Sequence, residues 1–499
     1  MTKEKLNNND IVDKLILIYD DLKSKREELE RIWEQVALFV RPQKIAKPSL
    51  GKEVFDSTAV LCAENLVSGL WSLASGSSSS WFSLSYKNHN KIEVNQAKEI
   101  SSWLLNVNKI LLDNLADSKS GFYYKSYEFY ADLVCFGSAI FYLKENSIDD
   151  EVLYEPLSLH DTYIGRLYHN SDLVIRRLYM DSKEAINLFG KDGVSNEIIS
   201  AYNENSNEKF CFLHYVLPNK YFNDEAIALR GMKFVSYYIE QQTKHLVSKS
   251  GYYEFPFMIS KWSSTCNALY GQSPAMNALS DIKMLNAMSK TMLIATQKLV
   301  DPPLLAPSEG SISGLKTLPG SIIYGGIDPV SGNQLIKPMQ LGADLASGYA
   351  LAEQRRNSIK EAFYNSVLLF AYSTNATATE VLSTNEQKFR ILGSKIARIQ
   401  SEFLYPLIKR QLNILDRLDK LPNKPIGINI ADIDIEFNNS WNKQQRMMEN
   451  LPINNMYDSL NNFAKIQPAI LQSINWQQLL RVMAQNNSIP NNIFNSENE

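Results

Sequence analysis

The chain of 499 residues lacks a basic excess: 51 Lys and Arg stand against 54 Asp and Glu, for a net charge of −3. Gripping nucleic acid over a broad face needs clustered Lys and Arg to displace counterions, so any DNA contact must be local or weak. The four cysteines, Cys62, Cys135, Cys211 and Cys266, are scattered without a CxxC pair. That argues against thiolate zinc sites and dithiol redox motifs and fits a reducing compartment. No run approaches the roughly 20 apolar residues that a membrane helix requires. The polar start, Met1 to Asp10, has no apolar stretch ahead of a small-residue cleavage site, so no signal peptide is expected. The expectation is a soluble protein, cytosolic at birth, with no membrane partner.

A reactive cluster is also lacking. The five histidines, His89, His160, His169, His214 and His245, show no HxxxH or HExxH spacing, so each reads as a surface or satisfied side chain rather than a ligand. There is no Gx4GK[ST] phosphate loop and no GxSxG elbow; Gly310 to Gly314 comes close, but Ile312 takes the central position. Asp149-Asp150-Glu151 reads as a solvated turn. Asp432, Asp434 and Glu436 form a row on one strand face without the turn and varied oxygen ligands of a calcium loop. No catalytic residue, metal or cofactor is assigned, and the chain is not expected to be an enzyme.

What is present is a chain with 44% apolar residues, enough for a large core and too long for one typical domain. Residues 11–40 carry Ile11, Leu15, Ile18, Leu22, Leu29, Ile32, Trp33 and Val36 at helical spacing, with the charged stretch Lys23 to Arg31 opposite and Pro42 beyond. Helices follow over 56–74, where Asp56 or Ser57 offers a cap, over 97–115 and over 122–136. Trp81 to Tyr86 alternates as a strand. From about Ser138 to Phe257, short apolar runs between Gly, Asn and Asp clusters read as a β-rich insert with a short helix near 183–189.

The middle of the chain is the most organised. Leu279 to Val300 reads as a strong helix ended by Asp301-Pro302-Pro303. A Gly-, Pro- and Ser-rich module follows, then a helix from Gly342 to about Leu369. Two helices flanking a compact insert predict an antiparallel pair with the insert at its tip. Ala371 to Thr377 is a small-residue loop. Thr377-Ala-Thr-Glu380 has capping-box spacing and leads into a helical run to about Leu418, with Gly393 and Pro406 as kink sites. Ile428 to Phe437 alternates as a strand, and Trp441 to Ala484 reads as helices.

Several local patterns then line up. They are Trp33-Glu34 with Pro42, Phe55-Asp-Ser-Thr58, Leu66-Val-Ser-Gly-Leu70, Trp81-Phe82, Phe129-Tyr-Ala-Asp-Leu133 and Phe136-Gly-Ser138. Further on come Tyr270-Gly-Gln-Ser-Pro274, Ala278-Leu-Ser-Asp281, Asp301-Pro-Pro303, Thr377 to Glu380 with Arg390 and Gly393, and Phe437 with Gln444-Gln-Arg446. In order and spacing along nearly the whole length, the chain resembles the portal, or head-to-tail connector, proteins of short-tailed, podovirus-type bacteriophages. The Ser-rich stretch 76–80 departs from the family, which often places prolines before the Trp-Phe pair.

The resemblance implies an α+β, mainly helical portal fold. Its parts would be a wing (1–270), a first stem helix (271–300), a clip (301–341), a second stem helix (342–370), a tunnel loop (371–377), a long kinked helix of the wing (378–425) and a helical crown with a C-terminal tail (426–499). It implies a homododecameric ring at one capsid vertex, through which double-stranded DNA is packaged by a separate terminase and later ejected. Expected partners are the terminase large subunit, tail adaptor proteins, and the major capsid and scaffolding proteins. The location would be the virion, and the host cytoplasm during assembly. Tunnel-loop residues Ser373, Thr374, Asn375 and Thr377 would touch the DNA loosely. Lys283, Lys290, Lys298, Arg355, Arg356 and Lys360 would line the channel or form bridges between subunits. The competing reading is another structural virion protein, such as a head–tail adaptor.

Overall fold

The computed structural model describes residues 8–41, 54–76, 80–87, 94–146, 151–168, 171–222, 227–228, 230–265, 267–305, 327–328, 330–339, 345–368 and 391–438, with single positions at 322, 442 and 476. The expected tunnel loop, the Thr377 to Glu380 capping box, the helices of 441–484 and most of the 301–341 module lie outside the described residues. The fold is mixed α+β and mostly helical. No described helix is long and apolar enough to cross a membrane.

Helix α1 (Asn8–Val40) organises the N-terminal half. Its first turns bury Ile11, Val12, Leu15, Tyr19 and Leu22 against one face of an antiparallel five-stranded meander. That sheet is ordered β4 (Thr162–Gly165), β5 (Leu173–Asp181), β6 (Lys209–Pro218), β7 (Phe234–Glu240) and β8 (Leu246–Tyr252). Two short helices, α5 (Ser182–Phe189) and α6 (Asn196–Asn203), cover the other face through Ala185, Ile198 and Ala201. Only the first of these is legible in the sequence; α6 buries just two of its eight residues, too few to show a period. The last turns of α1 place Trp33, Val36, Ala37 and Val40 in a second, larger core.

That larger core gathers α2 (Thr58–Ser75), α3 (Val94–Ala116), α4 (Phe122–Phe136) and the sheet β3-β2-β9, formed by Glu151–Leu157, Ser138–Asn146 and Phe257–Lys261. It also holds the antiparallel pair β1 (Phe82–Tyr86) and β12 (Ile433–Phe437). The expected strand 428–437 is thus shorter, and residues 430–432 form a 3-10 turn. The late kinked helix is helical over 391–399, widens into a π turn at Gln400–Leu404 and returns to α geometry over Tyr405–Arg417. Gly393 does not interrupt it. The irregularity falls just before Pro406, whose missing N–H breaks the regular ladder; the Tyr405 N–H reaches the Gln400 carbonyl instead. Glu402, in the π turn, accepts from Lys261 N (3.0 Å) and Ser260 Oγ (3.1 Å), which ties this helix to edge strand β9.

One residue overturns the expected polar face of α1. Arg26, within the charged stretch Lys23 to Arg31, is 1% exposed. Its guanidinium donates to the carbonyls of Leu159 (2.8 Å), Thr162 (2.7 Å) and His160 (2.9 Å) and to Glu30 Oε1. It also lies 3.6 Å from the Tyr163 ring centroid. The planar fork suits this convergence of acceptors in a way a lysine ammonium cannot. The tie joins α1 to the segment entering the five-stranded sheet, where the two cores meet.

His214, on β6, is fully buried. Its ring stacks on Tyr238 at 4.1 Å, and Nε2 meets Ser236 Oγ at 3.0 Å. Burial first, then the positive charges of Arg176 and Lys144, hold its pKa well below the usual histidine range. Only the unfolded chain therefore takes up this proton, below about pH 6.5.

Two outcomes follow. Arg26→Met should destabilise the protein by about 3 kcal/mol or more, because three buried carbonyls lose their donor; Arg26→Lys should recover little of this, as read from urea denaturation midpoints. His214→Phe should remove one source of acid sensitivity, so that its stability relative to wild type rises as pH falls from 7 to 5.

Candidate assembly surface on the central helix pair

The central pair begins at a backbone joint. Helix α7 (Pro274–Val300) opens with Ser273 as its cap, whose Oγ accepts from Met276 N (2.9 Å) and donates to the Cys135 carbonyl (2.8 Å). Pro274 takes the first helical position, where a missing N–H costs nothing. The start at 274 lies one turn and more before the 279 expected from periodicity. Just upstream, Gly271 N donates to Ser138 Oγ (2.8 Å), and a Cβ on Gly271 would come within 2.1 Å of the Gly137 carbonyl oxygen. Gly137 has φ of 76°, a left-handed value that ends α4. Trp33 Nε1 donates to the Phe136 carbonyl (3.1 Å), and its ring packs edge-on against Tyr270 at 5.3 Å. Three patterns far apart in sequence, around Trp33, Phe136-Gly-Ser138 and Tyr270 to Pro274, are thus one joint.

From this joint α7 runs antiparallel to α8 (Leu345–Ala362). Arg355 Nη1 meets Asp281 Oδ1 at 3.0 Å, and Gly348 lets α8 approach Met292, with an added Cβ 3.5 Å from its sulfur. Beyond the pair the chain is closed by the two-residue strands Leu304–Leu305 and Lys337–Pro338, paired antiparallel, and by a bridge from Ile327 to Gln334. The expected continuation of α8 to Leu369 is broken. Phe363 is buried, Tyr364 adopts φ of 55°, and a separate turn, Asn365–Leu368, follows. The left-handed Tyr364 stops the helix.

The buried residues of α7 are Pro274, Ala275, Ala278, Ile282 and Leu285, all in its first half. Its second half is apolar yet uncovered: Leu293 is 50% exposed, Ile294 42%, Leu299 44% and Val300 82%, and Leu304 and Leu305 continue the surface. At 100° per residue these side chains point in several directions around the helix. A helix apolar all round is one that is buried on all sides.

The six charged residues expected to line a channel or bridge subunits are all on this pair, but most are engaged within the chain. Arg355 joins α8 to α7. Arg356 binds Asp56 (2.9 Å) and Glu353 (3.1 Å), and Lys360 reaches Glu353 (3.5 Å) and Asn357 (3.4 Å). Lys283 donates to Gln35 Oε1 (2.5 Å), and Lys290 lies 5.4 Å from the centroid of the Phe55 ring. Lys298 is exposed in the last turn of α7. Ser373, Thr374, Asn375 and Thr377 lie outside the described residues.

Sequence reading missed the role of Asp56. As expected it caps α2, accepting from Thr58 N (2.9 Å), while Ser57 makes no side-chain cap. Its other oxygen takes Arg356 and approaches Ser289 Oγ (3.5 Å), so one carboxylate pins α2, α7 and α8 together. Burial alone would raise its pKa; the Thr58 hydrogen bonds and the Arg356 guanidinium outweigh burial and hold the carboxyl below its ordinary value.

Among the described residues there is no group of three or more His, Cys, Asp or Glu placed to hold a metal. A helix pair anchored at one end, with an uncovered apolar surface at the other, defines an assembly protein whose surface is built to be covered by other chains. The model of the family described as "Bacteriophage head to tail connecting protein" matches residues 12–494, and the chain belongs to that family, the portal proteins of the virion's head–tail junction, which are structural and not enzymatic. It is 25% identical over 478 residues to a probable portal protein of Bordetella phage BPP-1, covering 92% of this chain and 84% of that one. It is 23% identical over 485 residues to the portal protein of Salmonella phage epsilon15, covering 94% and 86%. It is also similar, at 10% identity and a TM-score of 0.38 over 82% of this chain and 88% of the other, to a chain in the neck of an empty GTA particle computed with C6 symmetry.

Replacing Asp56 by Asn and Arg356 by Ala, singly and together, should give a coupling of about 1 kcal/mol in a double-mutant cycle. The Asp56 contribution is present at neutral pH and should fade as pH falls through the carboxylate range; unfolding midpoints at pH 7 and pH 4 measure both.

Proposed function

We propose that copies of this chain close into a ring around a channel for double-stranded DNA, at the portal vertex of the capsid. The carrying observation is the distal half of α7, whose Leu293, Ile294, Leu299 and Val300 are exposed around the helix. A single partner on one side would leave part of that surface in water. Flanking copies on both sides cover it, which is what a heterologous, rotationally closed contact provides. We assign twelve copies by resemblance to the family.

In this reading residues 1–270 with 378–425 form the wing and the antiparallel pair forms the stem. Residues 301–341 form the clip that docks the terminase large subunit and later the tail adaptor proteins, and 426–499 form the crown. Capsid and scaffolding proteins meet the wing during assembly in the host cytoplasm. Ser373, Thr374, Asn375 and Thr377 form the loop that contacts DNA without reading it. The ring arrangement reconciles a net charge of −3 with a DNA channel, since one exposed lysine per copy, such as Lys298, becomes a band of positive charge. Arg355 and Arg356, already paired within the chain, act as struts of the stem rather than as channel charges.

Electron micrographs of the purified protein should show annular particles; monomers and dimers alone, across salt and concentration, would refute the ring. Leu293→Glu combined with Ile294→Glu should yield folded subunits that no longer form annuli. Deleting 306–338 should leave the folded wing and the ring but abolish terminase docking and packaging.

A further inference from the structure

At the outer end of the five-stranded sheet lies a group of oxygens that the assembly reading does not use. Glu240 ends β7, directly opposite Phe212 of β6. Alternation along β7 puts it on the face of Tyr238, which α5 and α6 cover. Its side chain is 0% exposed, and neither carboxylate oxygen has a hydrogen-bond partner. Two more buried oxygens without partners sit close by in the fold. Thr243 Oγ1 lies three residues on, in the turn from β7 to β8, and Ser195 Oγ lies at the start of α6, where it makes no cap.

These positions border a single cleft of about 420 Å³. Asn196, next to Ser195, lines it, and so does Gln242, between Glu240 and Thr243. Phe210, on the same sheet face as Glu240, forms part of its wall, and Glu197, Glu204 and Glu208 add three carboxylates, while no basic residue is among its lining. A buried carboxylate without a donor or counter-charge is strongly unfavourable as an anion. Hydroxyl and carboxylate oxygens converging on a small acidic cleft are the donor set of a hard cation.

We propose that this cleft binds one divalent cation of the calcium or magnesium class, with Glu240 as the carboxylate ligand and Thr243 and Ser195 as neutral oxygen ligands. The ion would hold the start of α6 and the β7–β8 turn together. It would fix the outer end of the insert, remote in sequence from the central helix pair.

The test uses the full-length protein, stripped with EDTA and titrated with CaCl2 or MgCl2. Calorimetry should find one saturable site per chain, and the thermal midpoint should rise on saturation. Glu240→Gln, nearly the same shape, should abolish both effects; Thr243→Val and Ser195→Ala, which leave the carboxylate in place, should each weaken binding. The proposal falls if neither cation binds by about 10 mM, the upper range of weak oxygen-ligand sites. It falls equally if Glu240→Gln binds like wild type, or if both hydroxyl variants do. Loss of binding in Glu197→Gln with Glu204→Gln, alongside retention in Glu240→Gln, would assign the effect to the acidic rim and overturn the site.

Discussion

A guanidinium with no water around it holds the two cores of this protein in register. Helix α1 is too long to belong to one core, so its two ends are buried in different ones, and Arg26 falls at the crossing. There it collects the carbonyls of Leu159, His160 and Thr162 and the carboxylate of Glu30 while lying on the Tyr163 ring. Apolar packing alone would leave those carbonyls without donors, a cost of about 1–3 kcal/mol for each group. Arg410 repeats the device on the late helix. Buried at 3% exposure, it donates to the Leu143 and Glu254 carbonyls and pairs with the Glu254 side chain. In both places an arginine lets a helix cross irregular backbone next to a sheet without leaving acceptors unpaired.

The same economy governs the central pair. Its base is rigid because backbone meets backbone at Gly137 and Gly271, a distance no side chain permits, and because Asp56 ties three helices at one carboxylate. Its far end is left uncovered. A helix of 27 residues is about 40 Å long, and the pair is cored only near its base. The distal half borrows its burial from other copies of the chain, which couples its order to assembly. For a portal protein this places the strongest contacts within the subunit where the pair emerges and leaves the subunit-to-subunit contacts where the ring must close.

Much of the architecture was legible as periodicity. The helices of 8–40, 58–75, 94–116 and 122–136, the β-rich insert and the antiparallel pair were all visible as 3.6-residue or alternating patterns, because each buries one continuous face. The misses have local causes. Leu345–Ala362 ends early because Tyr364 takes a left-handed conformation that no spacing announces. The helix of 196–203 is too short for a period to emerge. Arg26 was assigned to the solvent face with its charged neighbours, although Tyr19, Arg26, Trp33 and Val40 recur every seven residues, and that spacing alone puts it on the buried stripe.

The sequence by itself determined the balance of charge, the alternation of helix and strand, the order of motifs that marks the family and the caps at Ser273 and Asp56, since all of these depend on neighbours along the chain. Tertiary structure alone decided that Trp33, Gly137 and Gly271 are one joint, that Arg355 and Arg356 serve neighbours within the subunit, and that Glu240 lies buried beside Ser195 and Thr243. Such pairings join residues tens to hundreds of positions apart. They are set by how whole faces pack, a property that no local window of sequence contains.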